Sequence, residues 1–301
     1  MRRLTVDEAS AGRRLDAFLA AQGAAPSVTA ARRAIASGLV RLDGRPPRKG
    51  IRVRPGQIVE TEDAPAVVAG PELSLDVLYE DDDLVAINKP AGVPSQPLRL
   101  GDTGSIATAL VARYPECGVA APDPREGGLG HRLDVGTSGV LLAARHSEAW
   151  RRLREALGAA DCEKVYLAEV IGALPVDLAE RGGELSGSIV VTAAIGRTGR
   201  RGKRVRLKGG RQPLPARTEF RMRERRGDTS LVEARLSRGR AHQVRAHLAH
   251  LGCPVVGDDV YGVAGGGAAL RLHALAVTLR HPIEGQPLHI EAPPPGWAVV
   301  R

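Results

Sequence analysis

Asp134 is the residue in this 301-residue chain whose neighbours most suggest chemistry. It follows His131, Arg132 and Leu133, and it precedes Val135, Gly136, Thr137, Ser138 and Gly139, after which the apolar run Val140 to Ala144 begins. Glycines that punctuate a polar stretch ahead of a short apolar run describe a loop feeding a buried strand. A carboxylate held at the mouth of such a strand, with cations beside it, could act as a nucleophile or a general base. Taken alone, it could equally accept N–H bonds within its own turn.

Other groups invite chemistry and are set aside on pattern. His242, His247 and His250 crowd one helical stretch, and the pair His247 and His250 shares a face. They lack the H-E-x-x-H arrangement, so no metal is expected there. Asp258 and Asp259 in VVGDDVYG could suggest paired carboxylates for glycoside hydrolysis. Neighbours on a strand point to opposite faces, so at most one could enter a site, and a structural turn is expected. No glycine loop followed by Lys-Ser or Lys-Thr is present, and no cofactor is expected. Cys117, Cys162 and Cys253 are far apart and outside any C-x-x-C spacing, which predicts buried thiols rather than disulfides or a zinc site.

The elements that must position these residues fall into two units. In the first, RRLDAFLAAQG and VTAARRAIASG read as two small helices, the second carrying Arg32 and Arg33 beside its apolar face, and LVRLDGRPPRKGIRVRPGQIVE reads as short strands around an Asp-Gly turn. TEDAPAVVAGP then breaks the periodicity. This gives a domain at 1–62, a linker at 63–72 and a second domain at 73–301. Beyond the linker, DLVAINK, VLLAAR, EKVYLAEVIG, ARTEFRMRER, TSLVEARLS and LHALAVTLRH favour strands. SIATALVARY, SEAWRRLREAL (with a serine cap) and HQVRAHLAHLG (ending at Gly252) favour helices. The fold class is α+β around a mixed, largely antiparallel sheet with flanking helices.

Charge points to a partner. The net charge is +9, and basic residues crowd the segments Arg32 to Arg54 and Arg197 to Arg226, the latter against only Glu219 and Glu224. A polyanion is favoured. Aromatic residues make up 3% of the chain, too few for stacking many successive single-stranded bases, so folded RNA fits better. No stretch approaches a spanning helix and neither end reads as a signal, so a cytoplasmic monomer is expected.

Two resemblances sharpen this. Arg14, Leu15, Asp16, Arg32, Gly38, Val40, Gly44 and Gly56 make the first unit similar to the alpha-L RNA-binding module, with a departure at Pro26, Ser27 and Val28. The blocks DLVAINKPAGVPSQP, GHRLDVGTSGVLLAAR, EKVYLAEVIG, GRAHQVRAHLAHLGCPVVGDDVYG and LHALAVTLRHP resemble, in order, the RluA-type family of RNA pseudouridine synthases. Val135 and Gly136 stand where that family commonly has charge, and Arg238 where it has threonine. The resemblance implies that the bond from uracil N1 to ribose is cut, the base turns, and a ring carbon is joined to the sugar instead, without metal or cofactor.

It further implies that Asp134 attacks the sugar or takes a sugar proton, that Arg245 is its ionic partner, and that Tyr166 packs on the base. Arg132 is implied to fill the space left by the everted nucleotide. Substrate contacts are expected also from His131, Arg240, His242 and Gln243, with His242 orienting the loop of Arg245, and from Arg32 and Arg33 in the first unit. Large-subunit ribosomal RNA is the favoured substrate by analogy, with tRNA the alternative. A non-catalytic RNA-binding or ribosome-assembly protein and a carboxylate-dependent glycosidase are the competing readings.

Overall fold

The computed structural model describes residues 2–25, 28–36, 38–48, 50–61, 73–99, 101–175, 179–181, 184–198, 204–207, 210–262 and 267–300. The expected linker at 63–72 lies outside the described residues.

The first unit contains β1 (Arg2–Thr5), α1 (Leu15–Ala21), α2 (Val28–Ala36), β2 (Val40–Leu42) and β3 (Ile58–Thr61). Its core is built from Leu15, Phe18, Leu19, Val40, Val53 and Val59, all drawn from this unit. Asp43 and Gly44 take φ of 51° and 74°, the positive values a tight hairpin turn requires. The hairpin is nevertheless not a simple one. β2 pairs with β3 only after the chain has run out and back, and β3 pairs on its other edge with β1, a strand absent from the sequence reading.

The second unit contains β4 (Val77–Glu80), β5 (Leu84–Lys89), α3 (Ile106–Arg113), α4 (Cys117–Ala120), β6 (Ser138–Ala144), α5 (Ser147–Ala156), β7 (Glu163–Ile171), β8 (Ala179–Arg181) and β9 (Glu184–Ser186). It continues with β10 (Ser188–Thr192), β11 (Ile195–Thr198), β12 (Arg204–Leu207), β13 (Arg211–Leu214), β14 (Arg217–Arg226), β15 (Thr229–Leu236), α6 (Gln243–His250), β16 (Leu272–Arg280) and β17 (Pro287–Glu291). Among the described residues the main sheet runs β10-β14-β15-β7-β16-β6-β5-β4, with β17 on the far part of β16. Its one parallel pairing, between β16 and β6, covers only His273↔Ser138 and Ala274↔Gly139. The sheet is thus mixed and largely antiparallel. A smaller sheet, β12-β11-β13, stands apart from it.

That short parallel junction explains a glycine of the GTSG turn. Gly139 has φ of 106°, and a Cβ there would sit 2.1 Å from the carbonyl oxygen of Ala274, so only glycine lets β16 come this close. Beside it, Ser138 Oγ and His273 Nδ1 are 2.8 Å apart. Two local expectations are corrected. The cap of α5 is His146, whose Nδ1 accepts from Ala149 N, and not Ser147. α6 ends at His250, two residues before Gly252, whose φ of 80° redirects the chain. Asp258 and Asp259 lie on a turn between α6 and β16, as the sequence reading expected. The three cysteines are free and buried, as expected.

Candidate active site

Asp134 owes its position to its two neighbours, both pinned by the segment that follows β5. Leu133 N–H donates to Ser95 Oγ at 3.1 Å, and Ser95 Oγ–H donates to Leu133 O at 2.9 Å. Val135 O accepts from Gly92 N at 2.8 Å and from Lys89 Nζ at 3.1 Å. Thr137 N–H closes the turn onto Asp134 O at 3.0 Å. With backbone bonds on either side, the side chain between them is aimed by the fold and remains 27% exposed.

Lys89, at the end of β5, is fully buried and also donates to Pro90 O and Val93 O. Burial pulls its pKa down to about 8, with the negative charge of Asp134 acting the other way. Sequence reasoning passed over this lysine because a polar residue closing a strand looks like an ordinary solvated end.

Arg245, on the first turn and a half of α6, is 5% exposed and serves two carboxylates. Its Nε and Nη2 donate to Asp258 Oδ2 and Oδ1 at 2.8 and 2.7 Å, and its Nη1 donates to Asp134 Oδ2 at 2.8 Å. Burial opposes the guanidinium charge, yet the bonds to Asp258 and Asp134 outweigh it and raise the pKa. Asp258 is itself buried and accepts from Val260 N and Tyr261 N. Its carboxyl is held below the usual range because the Arg245 bonds overcome its burial. The sequence reading assigned the turn a structural role; Asp258 is buried against Arg245, while Asp259 is 89% exposed.

Tyr166 stands in the middle of β7, with Ala234 of β15 and Ala274 of β16 as its register partners. Two alanines leave room for a large ring over the sheet. Burial, followed by the nearby charge of Asp134, pushes its phenol pKa up, so the hydroxyl stays protonated. No described residue hydrogen-bonds that hydroxyl.

His242 caps α6 with φ of 55°, an uncommon conformation for a residue with a Cβ. Its Nε2 lies 3.7 Å from Asp134 Oδ1, and its Nδ1 lies 3.1 Å from the Tyr261 hydroxyl. Burial lowers its pKa and favours the neutral ring. Arg132 is exposed beside this cluster.

Three expected substrate contacts have other obligations. Gln243 is 2% exposed and spends its amide on Arg217 O, Thr218 Oγ1 and Arg240 N. His131 turns Nε2 to Leu142 N at 3.1 Å, and burial takes its pKa to about 3, so it serves the β6 backbone as a neutral ring. Arg32 binds Asp16 at 2.6 Å while remaining 60% exposed. Because Arg14 also bonds Asp16, two cations share one carboxylate and positive charge is left over. Arg240 is half-buried, with its Nε in contact with no acceptor among the described residues. Arg33 lies on α2, but its side chain is outside those described.

His247 is not poised for a metal; its Nδ1 is 2.9 Å from Thr218 Oγ1, and burial lowers its pKa to about 4. Asp81, Asp83 and His281 bring ligand-type atoms within 4.8 Å of one another. There the Nδ1 of His281 accepts Glu284 N–H, so the neutral ring carries its proton on Nε2, facing Asp81 at 3.0 Å. That is a hydrogen bond in the place where a metal would need a lone pair. A cavity of about 680 Å³ lined by Glu169, Arg225, Arg226, Arg271 and Trp297 lies on the other face of β7 from Tyr166, since residues 166 and 169 point to opposite sides.

Residues 83–250 match the family described as RNA pseudouridylate synthase, and residues 13–63 match the S4 domain. The chain belongs to the RNA pseudouridine synthases, enzymes that isomerise uridine to pseudouridine in RNA. Within them it is of the RluA type, with an S4 domain at its N-terminus. An uncharacterized RNA pseudouridine synthase of Chloroflexus aurantiacus is 40% identical over 290 residues, covering 94% of this chain and 86% of that one. Ribosomal large subunit pseudouridine synthase D of Xanthomonas campestris pv. campestris is 35% identical over 313 residues, covering 98% and 89%. Among solved structures, human RNA pseudouridylate synthase domain containing 1 aligns with a TM-score of 0.56 at 26% identity, over 73% of this chain and 83% of that one.

Proposed function

We propose that this enzyme isomerises a uridine of large-subunit ribosomal RNA, with Asp134 as the group that attacks the ribose or removes its proton. The observation that carries the reading is the Arg245 fork, which takes Asp134 Oδ2 and leaves Oδ1 3.7 Å from His242 Nε2, in a side chain that is 27% exposed. Oδ1 is then the reactive oxygen. Tyr166 packs on the uracil, its protonated hydroxyl available as a donor to the turning base. Arg132 enters the space of the everted nucleotide, and Arg240 and His242 border it. The domain at 73–301 performs the reaction, and the domain at 1–62 adds RNA affinity. Ribosomal RNA is favoured because the Xanthomonas relative, alike over nearly its whole length, carries a ribosomal large subunit name.

The test is to map pseudouridines in the RNA of the source cell with the gene intact, deleted, or carrying Asp134→Asn. Deletion and substitution should remove the same site or sites from large-subunit ribosomal RNA. Loss from tRNA alone would reassign the substrate, and an unchanged map would end the reading. In vitro, Asp134→Asn should lower turnover by at least about 1,000-fold while RNA affinity stays within a few-fold, because phosphate contacts dominate binding. No free uracil should appear, which separates isomerisation from glycosidase action.

A further inference from the structure

The basic three-stranded sheet β12-β11-β13 is fastened to the helix that carries Arg245. Ile195 and Val205 on its buried side pack with Ala246 of α6 and with Tyr261. Arg197 and Arg206, on neighbouring strands, are exposed. Arg206 stands opposite Gly196 in the register, on the face turned away from Ile195 and Val205, where its cation is open to an anion laid over the sheet. A phosphate backbone is the anion that this chain's reaction brings to it.

Tyr261 joins that sheet to the site. Its hydroxyl accepts Val205 N–H at 2.9 Å, from β12 at the sheet edge, and lies 3.1 Å from His242 Nδ1. Its ring meets the His242 ring edge-on, with centroids 5.7 Å apart, and lies under the Arg245 guanidinium at 5.6 Å. His242 Nε2 faces Asp134 Oδ1 at 3.7 Å. One side chain therefore touches the basic sheet and both neighbours of Asp134. A hydroxyl that accepts from Val205 has its own proton free for Nδ1, which puts the ring proton of His242 on Nε2, toward Asp134.

We propose that Tyr261 is a positioning residue: through His242 it makes the placement of Asp134 depend on how the β11–β13 sheet is seated on the RNA backbone. The inference rests on the function proposed above.

The experiment compares Tyr261→Phe, His242→Asn and the double variant in single-turnover assays and RNA binding on a ribosomal RNA fragment that the wild type modifies. Tyr261→Phe keeps the ring and its packing and loses only the hydroxyl. It should lower the rate about 10-fold with RNA affinity unchanged within about 2-fold, and His242→Asn should do the same. The double variant should lose no more than either single, because both break one chain of contacts. Adding Arg197→Ala and Arg206→Ala should weaken binding in both backgrounds, but slow the bound-state reaction only where the Tyr261 hydroxyl is present.

An unchanged rate in Tyr261→Phe, or losses that multiply to about 100-fold, would overturn the coupling. So would a rate loss that vanishes once activity is normalised to the folded fraction measured by circular dichroism, since that marks a merely structural role. If the wild type forms no pseudouridine on any RNA, the functional reading itself fails and this one falls with it.

Discussion

Arg245 donates to Asp258 and Asp134 at once, and Lys89 sits behind the same loop with its ammonium bonded to three carbonyls. The two cations differ in what pH does to them. Arg245 stays charged at any workable pH. Lys89 has a pKa of about 8 in the fold against an ordinary 10.5. Below pH 8 the folded and unfolded chains both hold this proton, and its contribution to stability does not change with pH. Between 8 and 10.5 the unfolded chain keeps a proton that the folded chain has released, so this group makes the protein more stable as pH rises. Urea unfolding from pH 7 to 10.5 should show wild type gaining on the order of 1–3 kcal/mol relative to Lys89→Met across that window. The variant should be less stable throughout, since its three carbonyls lose their donor. Parallel pH curves for the two proteins would mean that the lysine is not held in the way the contacts imply. The signs of Asp134, Tyr166 and Arg245 were present in their motifs, whereas Lys89 and Asp258 were not read as part of the site. A lone lysine or aspartate has no period, and its burial comes from loops that meet only in three dimensions.

At the scale of elements, the short parallel junction of β6 and β16 fixes the end of the loop that carries Asp134. Gly139→Ala places a methyl 2.1 Å from Ala274 O at a φ of 106°, so either the junction opens or the variant unfolds more easily. A loss of about 3 kcal/mol or more is expected in chemical unfolding, together with lost activity. A variant as stable as wild type would show that the two strands do not need this approach. β5, β6, β7, β14, β15, β16 and the helices α1, α2, α3, α5 and α6 were legible because alternation or helical spacing runs through each. β1, β4, β10 and β17 were not read. β1 and β4 are four residues long, too short for a pattern, and β17 opens with Pro287, a residue that reads as loop but is tolerated at the start of an edge strand. β12 and β13 were hidden for another reason. Their arginines were read as electrostatic footprint, and Pro213 masked the second of them. Charge and strand were the same residues seen at two levels.

Over the whole molecule, among the described residues, the core of the first unit is drawn from that unit, and the clusters around β7 and β6 contain no residue before Leu73. Removing residues 1–62 should therefore leave the second unit folded. What it takes away is charge. Arg45, Arg48 and Arg54 are exposed on the first unit, their guanidinium groups pairing with no described residue, and the Arg14–Asp16–Arg32 group keeps one surplus positive charge. Each phosphate contact made by such a cation adds about 0.7 to 0.9 to the slope of log affinity against log salt. If two or three of them reach the RNA, truncation should reduce that slope by about 2 and weaken binding about 10-fold or more near 0.1 M salt. The rate of the bound complex should change little, because Asp134, Arg245, Tyr166 and Lys89 all lie in the second unit. Filter binding from 50 to 300 mM salt, paired with single-turnover rates, separates these effects. An unchanged slope would deny the first unit a direct grip on the backbone, and a collapsed single-turnover rate at saturating RNA would mean that it orders the reacting site rather than holding the substrate.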